Sequence, residues 1–591
     1  MSNKNQILVF VQSHDNFRPI SIHYLRKTAG NYPVFILLNI SLLVNYFTNK
    51  LMIMEDNKTF KIGLCMAGAI SAGAYTAGVM DYLIEALEEW DKRKNEGTEN
   101  TPSHNVEISV IGGASAGGMT GIITAAALND TIIPIKKLED SKKMSQNKLY
   151  DSWVNLVADD MLLELLNTED IEKSGLISAL NSSFIDRIAS KAVKVVNDVP
   201  LKRDYFSADL KIFVTLSNLN GMSYNVSFNS SSPNLNNYII TAHNDYACFK
   251  LANSQDDYNK DGWIPLNFFK EINSEIAKNA AMATGAFPVG LKARELNRDG
   301  QYLNDLSWFD HITKDAKRPF PKPYTTINID GGLINNEPFE NVKNVLSPNN
   351  KLETDHNKIE NTILMIDPFP SEQTDFNGTT SLFSIIKNTI GTMTDQSRIK
   401  PSSLIDALDD NHYGQFLIAP VRGNIVGSKA IACGSLDGFG GFVSKEFRIH
   451  DFFLGRANCE KFLRDHFTIP ANTQNPIFKN SYSQISDITK FTSKNGDFQI
   501  IPLFNPPSDD YYMPVFSNGS TWPTVTTDYL MSYKPLLKKR IQKILFNTSN
   551  YNNTQRVLLW FGAKLILNKK IANSVLSVVK DSLIKHKSII K

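Results

Sequence analysis

One serine stands at the junction of two segments whose residue patterns differ sharply. The segment before it, "VEISVIGG" (106–113), is a short apolar run of the kind that forms a buried strand. The segment after it, "AGGMTGIITAAAL" (116–128), is rich in small residues and predicts a closely packed helix. Ser115 therefore occupies a tight turn between a strand and a helix, and this pattern favours an α/β fold.

The same pattern occurs once before this serine. "FKIGLC" (60–65) predicts a strand, and "GVMDYLIEALEEW" (78–90) predicts a helix in which Val79, Leu83 and Leu87 recur at helical spacing. A turn of small residues joins the two segments. Two such units in succession are typical of a mostly parallel sheet.

Two later strands carry an aspartate near their ends. They are "YTTINIDGG" (324–332) and "TILMIDPFP" (362–370). In open α/β sheets, catalytic and ligand-binding groups gather at the carboxyl ends of the strands, and we expect both aspartates at that edge.

The remaining patterns are less regular. "LKIFVTLSNLNG" (210–221) predicts a strand ending in a turn, and "EIAKNAAMATGAFPVGL" (275–291) predicts a helix that stops at Pro288. Residues 130–205 predict helices, of which "WVNLVADDMLLELL" (153–166) is the clearest amphipathic stretch. Further along, "GSLDGFGGF" (434–442) predicts a loop, and residues 447–467 predict a helix in part.

Composition argues against a nucleic-acid-binding protein and against a disulfide-stapled secreted domain. The chain has 591 residues, of which 42% are hydrophobic and 21% charged, with a formal net charge of +2. This balance is typical of a globular protein and gives no indication of a nucleic-acid partner. Four cysteines lie without metal or disulfide spacing, which favours a reducing compartment; they are Cys65, Cys248, Cys433 and Cys459. We predict no metal and no cofactor.

The N-terminal extension, residues 1–57, supports two interpretations. "PVFILLNISLLVNYF" (33–47) is an apolar run preceded by basic residues, as in a membrane anchor or an uncleaved export signal. The run is short for a membrane span and contains polar residues. Alternatively, the natural start is Met54, where "MEDNKTFKIGL" reads as the beginning of a domain. We favour the second interpretation and expect a cytoplasmic protein.

A serine in GxSxG between a strand and a helix matches the nucleophile-elbow pattern. Gly113 and Gly117 let the neighbouring backbone pass without a Cβ clash, and the turn pushes the hydroxyl of Ser115 out of the sheet. The following helix points its N-terminus at the serine, where free N–H groups stabilise negative charge. The pattern predicts a nucleophilic serine.

The base that would activate this serine has two candidate sources. In one arrangement a histidine late in the chain completes a triad; the candidates are His412, His450 and His466. In the other, Asp330 of "DGG" takes the serine proton alone, with Gly331 and Gly332 allowing a close turn. The alternative role of Asp330 is to cap turn amides.

One of these histidines and a further aspartate also have a structural interpretation. His450 lies in "FRIHDFF" and is expected to be a structural helix residue. Asp367 of "IDPFP" is a rival acid, but Pro368 favours a turn role for it.

Five segments in order resemble the motifs of the patatin-like phospholipase family. They cover an opening strand with a glycine-rich loop and helix, a nucleophile motif, an intermediate strand, a pre-proline helix and an aspartate motif. These segments are "GLCMAGAISAGAYTAGVMDYL" (63–83), "GGASAGG" (112–118), "FVTLSNLNG" (213–221), "AAMATGAFPVGL" (280–291) and "DGGLINNEP" (330–338).

This resemblance implies a fold and a reaction. The fold is a three-layer α/β/α sandwich with a mostly parallel central sheet, spanning residues 58–370. Ser115 would be the nucleophile and Asp330 the base of a dyad that hydrolyses lipid esters through an acyl-enzyme. The substrate would be a membrane lipid or another acyl ester, and the same scaffold would also suit a lipase, thioesterase or acyltransferase.

The loop that would form the oxyanion hole departs from the family pattern Gly-Gly-Gly-x-Arg/Lys-Gly. The aligned residues are Gly68, Ala69, Ile70, Ser71, Ala72 and Gly73. Backbone donors survive these changes, but the basic residue is lost at Ala72. We expect an active enzyme, and the alternative is a weak or inactive patatin-fold protein that binds membranes or acts as a scaffold.

The C-terminal region, residues 371–591, ends in a basic segment. Residues 533–591 contain thirteen Lys or Arg and one acid, Asp581. "YKPLLKKRIQKILF" (533–546) and "IANSVLSVVKDSLIKHKSII" (571–590) predict amphipathic helices. Such helices either lie on an anionic membrane as a peripheral contact or pack on the catalytic domain with a solvated basic face. We favour packing.

Overall fold

The computed structural model describes residues 6–13, 16–23 and 59–590, except for 143–145, 157, 228–236, 315–318, 348, 350, 371–391, 393–411, 507–510 and 548–567. The chain divides into two compact units, Met1–Asn57 and Lys58–Lys591. In the first unit, β1 (Gln6–Ser13) pairs with β2 (Asn16–His23) in antiparallel fashion. The apolar run at 33–47 lies outside the described residues. Within the described part of the chain, no helix is long and apolar enough to cross a membrane.

The second unit is built on a sheet of nine strands. The strands are β3 (Thr59–Met66), β4 (Asn105–Gly113), β5 (Phe206–Ser227), β6 (Asn237–Leu251), β7 (Ile264–Leu266), β8 (Arg294–Arg298), β9 (Tyr324–Asp330), β10 (Asn361–Ile366) and β11 (Gln415–Ile418). Their order is β11-β10-β3-β4-β5-β6-β7, and β9 pairs with both β5 and β8. The five neighbours β11 to β5 run parallel, as the sequence predicts.

Helices cover the sheet and continue into the C-terminal region. They are α1 (Gly73–Asn95), α2 (Ser115–Ala127), α3 (Lys148–Tyr150), α4 (Met161–Leu166), α5 (Glu169–Ser174), α6 (Ser183–Val193), α7 (Ser274–Thr284), α8 (Gly300–Asp305), α9 (Asp310–Thr313), α10 (Phe339–Leu346), α11 (Gly440–Val443), α12 (Lys445–Asp465), α13 (Pro476–Tyr482), α14 (Thr527–Ser532), α15 (Lys534–Asn547) and α16 (Asn568–Lys585). Short strand pairs lie outside the central sheet: β12 (Val421–Arg422) with β13 (Ile425–Val426), β14 (Thr468–Ile469) with β15 (Phe498–Gln499), and β16 (Val525–Thr526) with β17 (Ile589–Ile590).

Successive residues of the central strands enter two separate cores. Leu64 packs into the core that contains α1, α2 and α12, whereas the next residue, Cys65, packs into the core that contains Val342 of α10. Side chains alternate between the faces of a strand, so these cores lie on opposite sides of the sheet. The arrangement is the three-layer α/β/α fold that the sequence predicts.

The C-terminal region packs on the first helix of the catalytic part. Helix α12 crosses α1 where Gly455 meets the carbonyl oxygen of Tyr75 and Gly78 meets that of Phe452, and a Cβ at either glycine would overlap that oxygen. Arg456 of α12 forms buried ion pairs with two acids of α1, Asp81 and Glu85. The segment 447–467, which the sequence predicts to be helical in part, lies mostly within this one continuous helix.

The sheet also continues beyond residue 370. Strand β11 (Gln415–Ile418) pairs in parallel with β10, so a segment from the C-terminal region forms one edge of the catalytic sheet. The compact unit accordingly runs from Lys58 to Lys591, and no division between compact units falls at 370/371.

The structure breaks the amphipathic stretch predicted at 153–166. A π-helical turn, Asp151–Asn155, ends where Leu156 adopts φ 51°. A new helix then starts at Met161, and the carboxylate of Asp160 accepts a hydrogen bond from the N–H of Leu163 at 3.0 Å. The prediction of one helix was wrong because an N-cap inside the stretch satisfies amides that a continuous helix would use.

The turn predicted at the end of 210–221 is a bulge within β5. The strand runs to Ser227, and its pairing with β6 shifts register between Ser217 and Met222. Gly221 has φ 71°, and the side-chain oxygen of Asn218 accepts from the N–H of Asn220 at 3.0 Å. Turn residues thus bend the strand without ending it.

The helix that the sequence predicts to stop at Pro288 ends earlier, at Thr284, and Gly285 is its C-cap.

We expect Gly455→Ala to lower the free energy of unfolding by about 1–3 kcal/mol, because the new Cβ forces α1 and α12 apart. Chemical denaturation measures this change. Lys461→Ala is the control, since Lys461 is exposed on the same helix and its replacement should change stability by less than about 0.5 kcal/mol. A more stable Gly455→Ala protein, as alanine's helix propensity alone would produce, contradicts the close crossing.

Candidate active site

Ser115 lies at the tight turn between β4 and α2. It is the first residue of α2 and adopts φ 47°, which is unusual for a residue other than glycine. A Cβ on Gly113 would lie 2.6 Å from the backbone carbon of Gly117, and a Cβ on Gly117 would overlap the carbonyl oxygen of Met66. Both glycines therefore lie where the backbone passes too closely for a Cβ.

Asp330 reaches the same edge of the sheet from another direction. It is the last residue of β9, which runs antiparallel to β5 and places Asp330 opposite Leu216. Val214, two residues before Leu216 on β5, pairs with Gly113 of β4. This register brings the two side chains together, and the Ser115 hydroxyl donates to Oδ2 of Asp330 at 2.7 Å. Both residues are buried, at 5% and 6% exposure.

The carboxylate of Asp330 is held in one orientation. Its Oδ1 accepts from the N–H of Gly332 at 2.8 Å, which leaves Oδ2 to Ser115. The backbone of Asp330 donates to the carbonyl oxygen of Ala286 at 3.0 Å and accepts from the hydroxyl of Ser217 at 2.7 Å. Capping of Gly332 and contact with Ser115 occur together, so the two roles considered for this aspartate are not exclusive.

Burial raises the pKa of Asp330 to about 6. Hydrogen bonds from Ser115 and from the N–H of Gly332 favour the ionised form and offset part of that effect. The carboxyl group is therefore ionised at neutral pH and still basic enough to accept a proton from a hydroxyl during reaction.

The loop Gly68–Gly73, which the sequence analysis predicts to form an oxyanion hole and which is called the oxyanion loop below, lies beside the serine. A Cβ on Gly68 would be 3.1 Å from Cβ of Ser115, and the N–H of Gly68 donates to the carbonyl oxygen of Asn336 at 3.3 Å. The loop forms a 3₁₀ turn, Ile70–Ala72, in which Ile70 has φ 50°. In the described part of the chain, the N–H groups of Ala69 and Ile70 make no backbone hydrogen bond to other segments.

Two further residues at the site were not singled out from the sequence. Thr284, at the end of α7, accepts from the N–H of Ser115 through Oγ1 at 2.9 Å. The side-chain oxygen of Asn336 fills the space beside Gly332, where a Cβ would lie 2.6 Å from it. Both residues fall inside segments that carry the family resemblance, and this was the available signal.

The other candidate bases make contacts of their own. His450 is buried with Nδ1 2.7 Å from a carboxylate oxygen of Asp451, whose carboxylate also accepts from the backbone N–H groups of Ala432 and Cys433. His412 accepts from the N–H of Gly414 through Nδ1 at 3.1 Å, and His466 stacks on Phe462.

The rival acid also has a local role. The carboxylate of Asp367 accepts from the N–H of Phe369 at 2.8 Å, consistent with the predicted turn. In the part of the chain that the structure describes, no group of three or more His, Cys, Asp or Glu is arranged to hold a metal ion.

Comparison with known proteins identifies the family. Residues 64–343, which include Ser115 and Asp330, match the family model described as Patatin-like phospholipase. The uncharacterized protein y4iI of Sinorhizobium fredii is 33% identical over 475 residues, which cover 71% of this chain and 67% of that protein. The chain belongs to the patatin-like phospholipase family. Membership in this family points to hydrolase activity on lipid acyl esters.

This chain is also similar to a solved structure. It is the crystal structure of VipD from Legionella pneumophila, with 12% sequence identity and coverage of 89% of this chain and 88% of that one. The TM-score is 0.19, so this likeness carries no argument about the fold.

Asp330→Asn tests the buried carboxyl group through the pH dependence of stability. The pKa of about 6 in the folded state exceeds the ordinary unfolded value of about 3.9, so the folded protein binds more protons between these values. The free energy of unfolding of the wild type relative to Asp330→Asn should therefore fall by about 2 kcal/mol as pH rises from 4 to 6.5. Denaturant titrations at several pH values measure this difference.

The control for this series is Asp581→Asn, because Asp581 is exposed. Its stability difference from the wild type should stay flat over the same pH range. A flat difference for Asp330→Asn as well would contradict a raised pKa at this site.

Proposed function

We propose that this protein is a phospholipase A-like hydrolase that cleaves carboxylic esters of lipids, with Ser115 as nucleophile and Asp330 as general base. The observation that carries the proposal is the 2.7 Å hydrogen bond between the two buried side chains. Family membership supports the class of substrate, and the geometry supports the assignment of the two residues.

The reaction divides into two halves that use the same groups. In the first, Oγ of Ser115 attacks the acyl carbonyl while Asp330 takes the hydroxyl proton, and the alcohol leaves with that proton as the acyl-enzyme forms. In the second, Asp330 takes a proton from water, which attacks the acyl group and releases the fatty acid. The proton returns to Ser115, so the enzyme ends unchanged.

Backbone groups at the sheet edge supply the electrostatic part of this mechanism. The tetrahedral intermediate carries a negative oxygen, which needs N–H donors already in place. Helix α2 begins at Ser115, whose own N–H donates to Thr284, and the next amides, those of Ala116 and Gly117, lack intrahelical partners and directly follow the serine. The amides of Ala69 and Ile70 in the oxyanion loop offer donors from the other side.

Ser115→Ala should abolish labelling by a fluorophosphonate probe and lower kcat on phosphatidylcholine–phosphatidylglycerol vesicles by at least about 1000-fold, because the nucleophile is removed. Asp330→Asn should lower kcat by a similar factor while leaving binding of vesicles unchanged. Ser103→Ala, at an exposed serine, serves as the control and should match the wild type in both assays.

Each unexpected result has a definite meaning. Full turnover by Asp330→Asn would rule out the dyad and restore a histidine triad. A wild type that is neither labelled nor active on a panel of esters would support the alternative of an inactive membrane-binding or scaffold protein.

We also propose that an apolar rim beside the site contacts the membrane. Val289 is 81% exposed, and its φ of 64° is rare for a β-branched residue. Ile177 is 51% exposed. The N–H of Ala179 donates to the carbonyl oxygen of Val289 at 2.8 Å, which links the two segments. The loop that carries Val289 also contains Ala286, the backbone partner of Asp330.

Both basic C-terminal helices pack on the protein, and α15 borders this rim. Arg540 of α15 is buried, pairs with Asp170 and donates to the carbonyl oxygens of Ser178 and Ala179. Helix α16 buries a stripe on one side, and the stripe includes Ala572, Leu576 and Leu583. The exposed Lys539 thus lies on a helix that borders the rim, and an anionic lipid surface would attract it.

The double variant Ile177→Asp with Val289→Asp should weaken sedimentation with phosphatidylglycerol-containing vesicles about tenfold or more, because about 1.4 kcal/mol of apolar insertion is lost. Hydrolysis of a soluble short-chain ester should not change. Val515→Asp is the control, since Val515 is also exposed and apolar but is not part of the rim. Equal loss of vesicle binding in the control would contradict the rim proposal.

A further inference from the structure

The oxyanion loop is bound to a short segment of the C-terminal region, Gly438–Gly441, called the clamp below. The hydroxyl of Ser71 donates to the carbonyl oxygen of Gly438 and accepts from the N–H of Gly441 at 2.9 Å. Ser71 is buried, so water does not compete for either hydrogen bond. One hydroxyl thus joins parts of the chain that lie far apart in sequence.

The clamp lies against the most strained residue of the loop. Ile70 is β-branched and adopts φ 50°, a conformation that costs on the order of 1–3 kcal/mol and persists only where the surroundings impose it. A Cβ on Gly438 would lie 3.3 Å from Cβ of Ile70, so the clamp backbone packs directly on this side chain. The clamp therefore supplies a restraint at the position where the loop needs one.

A buried arginine holds the clamp in turn. Arg448 of α12 is almost fully buried, and it donates to the carbonyl oxygen of Gly441 and, through Nε, to that of Val154 at 3.0 Å. Its Nη2 has no hydrogen-bond partner among the described residues. Burying a guanidinium group costs several kcal/mol, and among the described residues backbone carbonyls, not the carboxylate of an ion pair, bind this one.

We propose that Ser71 and Arg448 are positioning residues, which act through the clamp to hold the amides of the oxyanion loop in the orientation that the transition state requires. The inference rests on the proposed hydrolase function. It gives the C-terminal region a part in catalysis, because the clamp and Arg448 lie outside the residues 64–343 that match the family model. Donors fixed in advance stabilise developing charge without reorganisation, so loosening them lowers kcat more than it changes KM.

Ser71→Ala tests this role without adding volume to the buried site. We expect kcat to fall about 10- to 100-fold and KM to stay within about threefold, since substrate binding does not use the loop amides. The rate of labelling by a fluorophosphonate should fall by the same factor as kcat. All rates are measured at a temperature where the variant is fully folded.

Ser481→Ala is a matched control. Ser481 is also a buried serine of the C-terminal region, and its hydroxyl accepts from the N–H groups of Ser103 and His104 at 2.8 and 3.1 Å. These contacts lie near the start of β4, at the opposite end of that strand from Ser115. The variant should lower the melting temperature and leave kcat and the labelling rate unchanged.

Two substitutions of Arg448 separate its hydrogen bonds from its volume. Arg448→Met should resemble Ser71→Ala in kcat, and Arg448→Lys should recover part of the loss because lysine keeps a charged donor. In the Ser71→Ala, Arg448→Met double variant, the loss in kcat should not exceed that of the more affected single variant by more than about threefold, since both act through one path.

Hydrogen exchange supplies a readout that does not depend on catalysis. Amides of the oxyanion loop should exchange faster in Ser71→Ala than in the wild type or in Ser481→Ala. Unchanged kcat, labelling and exchange in Ser71→Ala, with an inactive Ser115→Ala, would overturn the positioning role and leave the hydrolase proposal intact. A wild type that neither hydrolyses esters nor reacts with the probe would overturn both.

Discussion

The hydrogen bond between the hydroxyl of Ser115 and the carboxylate of Asp330 is the interaction on which the site depends. Both groups are buried, so a missing bond would leave a charged carboxylate without its main side-chain partner. The bond forms only because β4, β5 and β9 keep one register at the sheet edge. Packing that preserves this register, from the glycine turns to the helix layers, thereby also preserves the contact between the two side chains.

The oxyanion loop shows how tertiary packing can replace local conformational freedom. Where the family pattern has glycine, this chain has Ile70 in a left-handed conformation that isoleucine disfavours. The contacts of Ser71 with Gly438 and Gly441 come from a region that no local signal connects to the site. In this interpretation the C-terminal region is a structural part of the enzyme, and the continuity of the sheet into β11 agrees with that view.

Sequence patterns predicted most of the strands and helices near the site and failed where local chemistry was used in an unexpected context. The N-cap at Asp160 divides a stretch that reads as one helix, and turn residues around Gly221 bend β5 without ending it. Asp330 was expected at the carboxyl ends of the strands, at the sheet edge. It reaches that edge on an antiparallel strand, because pairing with β5 and not strand direction sets its position.

The sequence by itself determined the α/β class, the sharp turn at Ser115 and the aspartate motif at Asp330. These depend on residue size, polarity and spacing within a few positions, which are local properties of a chain. Only the tertiary structure decided that Oδ2 of Asp330 lies 2.7 Å from the hydroxyl oxygen of Ser115, that Thr284 accepts from the serine backbone, and that Gly438 and Gly441 contact Ser71 of the oxyanion loop. Those contacts join segments far apart in the chain, and their geometry follows from how the whole sheet and its helices pack.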